Sequence, residues 1–150
     1  MAQLALMIDL TRCIGCGSCE AACKLEHHLG PGQFRTRILT LIRPDDPERL
    51  EFVKAVCQQC ERPACMRACG ADAIRKSPLD GIVTVAAERR AAGLSPACVS
   101  VCPANALSWG PVDELHARAR ADKRVERSVD HFGLRPSTVY LEHAATRTTG

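Results

Sequence analysis

At 150 residues the chain has room for one domain, with or without two similar halves, and little for a separate catalytic module. Aromatic residues make up only 3% of it, so the core must come mostly from Ala, Val, Leu and Ile, and ten cysteines are the candidates for extra stabilisation through bound metal. The net charge of +3 is mild, and Arg118, Arg120, Lys123, Arg124 and Arg127 are interleaved with Asp122 and Glu126 as on a solvated helix face, which argues against nucleic-acid binding.

Residues 1–10 contain Asp9 and lack both a positive n-region and an apolar run of signal length, so no secretory signal is expected. No stretch of about 18 apolar residues predicts a membrane span. Residues 2–10 alternate loosely in apolar character and predict a short strand running into Cys13, Cys16, Cys19 and Cys23. Gly15 and Gly17 fit a backbone curled around an inorganic core that a Cβ would crowd. Residues 18–29 read as a helix stopped by Gly30-Pro31-Gly32.

Residues 35–42 and 50–56 predict an antiparallel hairpin broken at Pro44-Asp45-Asp46-Pro47. Cys57, Cys60, Cys65 and Cys69 follow, then residues 71–74 and a brief strand at 82–85. A third group, Cys98 and Cys102, continues as Pro103-Ala104-Asn105-Ala106-Leu107, which parallels Cys69-Gly70-Ala71-Asp72-Ala73-Ile74 as an internal repeat. Residues 112–129 predict a charged amphipathic helix, and 138–142 a closing strand before a polar tail. The expected fold class is α+β, a single ferredoxin-like iron–sulfur domain over 1–150 with an internal pseudo-repeat, an inserted β-hairpin and a C-terminal helix.

Cys13-x-x-Cys16-x-x-Cys19-x-x-x-Cys23 is the bacterial ferredoxin spacing, in which three thiolates grip three corners of a [4Fe–4S] cube and the fourth points toward a neighbouring cluster. Zinc wants four tetrahedral ligands from two separated pairs, which a run this tight supplies poorly. Disulfides would need an oxidising compartment. The second group, with its longer middle gap, carries the same signal less sharply, and its repeat-like surroundings strengthen it.

These strings, together with Cys57-Gln58-Gln59-Cys60-Glu61-Arg62-Pro63-Ala64-Cys65-Met66-Arg67-Ala68-Cys69, residues 89–107 and Gly133-Leu134-Arg135-Pro136, resemble the four-cluster iron–sulfur subunits of molybdopterin oxidoreductases, of the dimethyl sulfoxide, thiosulfate, polysulfide and nitrite reductase type. The resemblance implies a relay between a molybdopterin-containing catalytic subunit and a quinone-linked membrane anchor subunit or a soluble redox partner. It also implies four cysteine motifs. Here the third is absent, and so are the first two cysteines of the fourth, with Val83 and Ala86 at the positions their spacing predicts, as after an internal deletion.

Ten thiolates fully ligate at most two four-iron clusters. The family arrangement implies one complete cluster on Cys13, Cys16, Cys19 and Cys102, with Cys23 and Cys98 facing an incomplete site. A two-cluster ferredoxin arrangement would instead use Cys13, Cys16, Cys19 and Cys69 for one and Cys57, Cys60, Cys65 and Cys23 for the other. We favour the family arrangement for the first cluster.

His27 and His28 read as solvated residues at a helix end, with ligand substitution as the sharper alternative; His116, His131 and His143 earn no role. Trp109 reads as a half-buried aromatic rather than a cluster shield. Lys24, Arg67 and Arg89 are candidates for tuning a cluster potential, or else plain surface residues. No nucleophile–base constellation, phosphate loop or GxGxxG string marks an independent enzyme. The expected function is therefore electron transfer as a non-catalytic subunit, in the cytoplasm or at a membrane face through a partner. The alternative is a degenerate protein that uses metal only to fold.

Overall fold

The protein, seen in a computed structural model, is described at residues 3–44, 46–70, 72–85, 96–127 and 133–142. Ala71, the stretch 86–95 that would hold the deletion junction with Ala86 and Arg89, His131 and His143 lie outside the described residues. The fold is α+β. Its centre is strand β1 (Leu4–Asp9), whose LALMID run is buried on both sides. Two-sided burial explains why apolar residues fill both parities of this strand.

Twelve described elements follow in the order β1, α1 (Ser18–Glu26), β2 (Thr36–Arg43), β3 (Asp46–Val56), α2 (Ala64–Ala68), β4 (Ile74–Lys76), β5 (Val83–Val85), α3 (Ala97–Ser100), β6 (Leu107–Pro111), α4 (Val112–Ala121), β7 (Val125–Arg127) and β8 (Val139–Glu142). The main sheet has the order β6-β1-β8-β7, with β1 antiparallel to β6 and parallel to β8. On one face, Ala5 and Met7 pack against Leu115 and Ala119 of α4 with Val139 and Leu141. On the other, Leu6, Ile8 and Leu10 meet Cys19, Leu107 and Tyr140, and Ile38, Val53 and Val56 of the hairpin close over them.

The predicted hairpin stands as β2–β3, pairing Thr36 with Val56 through Ile42 with Leu50. The second expected helix is shorter than its charge pattern suggested. It ends at Ala121, Lys123 takes a positive φ of 52°, and residues 125–127 form β7 against β8. Backbone groups at the sheet edge find partners in β8, which outweighs helical periodicity in a polar segment. The basic residues there are not a uniformly solvated face either. Arg124 pairs with Asp9 at 3.0 Å, and Arg127 with Glu142 and, at 3.5 Å, Glu51. Residues 128 and 129 lie outside the described residues.

The internal repeat is also a repeat of backbone. Asp72 and Asn105 both sit at φ 48°, a left-handed position that short polar side chains tolerate. Each closes its turn by donating N–H to the carbonyl of Cys69 (3.1 Å) or Cys102 (3.2 Å). The next residue but one then opens a strand, β4 at Ile74 and β6 at Leu107.

Candidate iron–sulfur centre

Strand β1 delivers the chain to the first cysteine loop, and Asp9 shapes the exit. Its carboxylate accepts from Thr11 N–H (3.0 Å) and the Thr11 hydroxyl (2.6 Å), while its carbonyl accepts from the N–H groups of Arg12 and Cys13. The loop then turns through Gly15 (φ 69°) and Gly17 (φ 73°), and α1 begins at Ser18. A Cβ on Gly15 would fall 2.5 Å from the Phe52 ring. The space that glycine leaves is therefore taken by the β3 side chain, a reason the cysteine spacing alone does not reveal.

Cys13, Cys16 and Cys19 meet Cys102 around one cavity of about 370 Å³, its open mouth included. Ile14, Ile38, Ala104, Ala106 and Leu107 complete an apolar wall, with Lys54 the one cation among the described residues that line it. Four thiols around one cavity with an apolar wall are a donor set that suits an iron–sulfur cube.

Donors aimed at sulfur are already in place. Ala106 N–H donates to Cys102 Sγ at 3.3 Å, and Ala73 N–H repeats this at Cys69 Sγ, also at 3.3 Å. The Cys16 sulfur lies 3.4 Å from Ser18 Oγ, and this hydrogen bond is the main cause holding its pKa below the usual thiol value. Cys19 goes the other way. Burial pushes its thiol up, opposed by the Lys54 charge and reinforced by neighbouring Cys98, Cys13 and Cys16.

None of the remaining cysteines lines this cavity. Cys98, on α3, packs on the core cluster that contains Cys19. Cys23 sits in the last turn of α1. Cys57, Cys60, Cys65 and Cys69 form a separate region in which Cys57 and Cys65 are exposed. All ten cysteines are outside disulfides. The second motif is held through its backbone. Glu61 and Arg62 N–H donate to the Arg135 and Leu134 carbonyls, and Lys76 Nζ donates to the Cys60 carbonyl at 3.0 Å. The Gln59 side chain accepts from Val83 N–H at 2.6 Å. The Gly133-Leu134-Arg135-Pro136 string thus serves as the brace of this motif.

Neither His27 nor His28 lines the cavity; His27 caps α1, and His28 (φ 49°) ends the turn. His116 Nδ1 lies 2.8 Å from Glu126 and ties α4 to β7. Trp109 is half-buried on β6 opposite Leu6. Of the cations singled out from sequence, Lys24 caps the Gly30–Gln33 turn by donating to both carbonyls and stacks on Phe34, while Arg67 is exposed. Sequence reasoning missed Lys54. The signal was its parity, since it shares one face of β3 with Leu50, Phe52 and Val56.

Residues 4–25 match the family model of a 4Fe-4S binding domain. The chain is similar to a tetrathionate reductase subunit of Archaeoglobus fulgidus, at 34% identity over 82 residues covering 55% of this chain and 38% of the relative. A selenate reductase subunit of Mesobacillus selenatarsenatis is 39% identical over 84 residues, covering 55% and 28%. A putative dimethyl sulfoxide reductase iron-sulfur subunit of Halobacterium salinarum is 35% identical over 99 residues, covering 57% and 37%. The matches therefore span well under half the length of these relatives. The resemblance drawn from the cysteine strings, to iron–sulfur subunits of such reductases, holds. Among the described residues, no helix is long and apolar enough to cross a membrane.

Proposed function

We propose that the chain carries electrons through a [4Fe–4S] cluster bound by Cys13, Cys16, Cys19 and Cys102, as the relay subunit of a larger oxidoreductase. The observation that carries this reading is the single apolar cavity those four thiols share. Such a cluster, when bound, takes up and releases one electron without rearranging its ligands. The chain's own residues orient the sulfurs and limit water. Ile14, Ile38 and Leu107 wall the site, and Ala106 N–H and Lys54 present positive ends to it. Each favours the more negative state.

The partners we assign are a molybdopterin-containing catalytic subunit and a quinone-linked membrane subunit or soluble carrier, located in the cytoplasm or at a membrane face. This rests on the resemblance, and the relatives' names support it in speaking of subunits of reductases. A ferredoxin-like organisation as one domain is supported by the repeated Cys69–Ile74 and Cys102–Leu107 backbone and by two core clusters that share β1. For a second cluster the two arrangements differ: the family arrangement leaves Cys23 and Cys98 facing an incomplete site, whereas the two-cluster arrangement would use Cys57, Cys60, Cys65 and Cys23, with Cys69 on the first.

The test is iron and acid-labile sulfide per chain after anaerobic reconstitution, followed by electron paramagnetic resonance before and after dithionite. About four or eight irons with a reversible reduced-cluster signal are expected. Iron near zero would sink the reading. A loaded cluster that cannot be reduced would turn it toward a structural role.

A further inference from the structure

Lys54 is a buried side chain that forms no ion pair with another described residue. It lies on β3 at 1% exposure, and its Nζ donates to Thr36 Oγ1 at 2.8 Å. Thr36 is also buried, and its hydroxyl donates onward to the Ala55 carbonyl at 3.1 Å. An ammonium carries three donors and a full charge. A neutral hydroxyl satisfies one donor and none of the charge. Of the nearby acidic groups, Asp9 pairs with Arg124, Glu51 and Glu142 with Arg127, and Glu61 with Arg135, while the Glu20 carboxylate accepts from Ile38 N–H. A buried charge persists where a counter-charge or metal centre compensates its desolvation.

The direction in which Lys54 faces identifies that counter-charge. It lines the cavity with Cys13, Cys16, Cys19 and Cys102. Apart from Ser18 the rest of the wall is apolar, which strengthens the attraction relative to open water. Its place is fixed from both sides. Ile38 pairs with it across the hairpin, and its own carbonyl accepts from the Tyr140 hydroxyl at 2.9 Å, so the strand is pinned to the main sheet.

We propose that Lys54 is the built-in counter-ion of the cluster held by Cys13, Cys16, Cys19 and Cys102, a positioning residue that raises its reduction potential. The inference rests on the electron-carrier reading. Four thiolates around a four-iron core make an anion, and reduction adds one electron to it. A fixed buried cation stabilises the reduced form more than the oxidised one. Of the cations considered from sequence, Lys24 is engaged by a turn, Arg67 lies on the surface and Arg89 lies outside the described residues, whereas Lys54 lines the cavity.

The experiment loads wild type, Lys54→Met and Lys54→Arg with cluster in parallel and follows the reduced signal during a potentiometric titration. A wild type that takes up no iron overturns both readings. With wild type loaded, Lys54→Met is expected to shift its midpoint to more negative potential while Lys54→Arg stays close to wild type. A packing role would not separate the two variants by charge. An unchanged midpoint in Lys54→Met overturns the counter-ion alone and leaves the electron carrier standing. Should Lys54→Met fail to load, pulsed paramagnetic resonance on reduced wild type grown with isotopically labelled lysine decides: a lysine nitrogen coupled to the cluster is expected, and its absence overturns the proposal.

Discussion

The first cysteine motif closes with Cys102 around one cavity, with Cys19 buried and Cys16 exposed, whereas the second, of nearly the same spacing, has Cys57 and Cys65 exposed and is braced by backbone hydrogen bonds. In the first, burial positions Cys19. Cys19 is within the core that Leu6, Ile8 and Tyr140 build, and the hairpin covers it. In the second, the Cys57 carbonyl accepts from the Thr138 hydroxyl and the Gln58 carbonyl from the N–H groups of Ser137 and Thr138. Similar local spacing thus yields two environments, because neighbours far along the chain decide which thiols share a cavity.

The largest expected effect separates the regions directly. Cys102→Ser removes a corner of the cavity and is expected to abolish the intact four-iron signal of the first site, while Cys69→Ser leaves that signal in place; iron analysis with paramagnetic resonance reads both. If Cys69→Ser is the damaging change instead, the first motif pairs with the second and the contrast collapses. Next comes Ile8, fully buried beneath the first site. Ile8→Ala is expected to cost about 2–5 kcal/mol in urea unfolding of the cluster-free protein, as for other large core truncations.

Tyr140 joins the two regions, since its hydroxyl donates to the Lys54 carbonyl and accepts from Gln58 Nε2 at 3.1 Å. Burial pushes its pKa up, against the Gln58 hydrogen bond. The folded state thus keeps this proton more tightly than the unfolded chain. The resulting stability is fully present below the unfolded value of about 10 and is lost as pH rises through the higher folded value. Tyr140→Phe is expected to cost about 1 kcal/mol at neutral pH and to flatten this alkaline decline in a series of Tm measurements. The smallest effect belongs to the second region's rim. Arg135 and Glu61, 3.2 Å apart, are 63% and 53% exposed, so Arg135→Ala should lower stability by less than about 1 kcal/mol. A larger loss would mean that the brace depends on the side chain rather than on the Arg135 carbonyl.

Much of the plan was readable along the chain. The cysteine spacing, the hairpin at 36–56 and the Cys69/Cys102 repeat all depend on local patterns, and local patterns persist through folding. The chain beyond Ala121 misled, because alternating charges fit a helix and an edge strand equally well until β8 offers its backbone partners. Strand β6 escaped notice for a related reason: Leu107–Pro111 contains Gly110 and Pro111, weak strand formers that pairing with β1 overrides.

The sequence by itself determined that ten thiols in ferredoxin-like runs point to iron–sulfur chemistry, since ligand type and spacing are chemical facts of the chain. Only the tertiary structure decided which thiols share a cavity and which cation stands beside them. Cys102 reaches Cys13 because β6 pairs with β1, and Lys54 reaches Cys19 because the hairpin folds back over α1. Such long-range meetings depend on which faces are buried together, and no spacing along the chain encodes that.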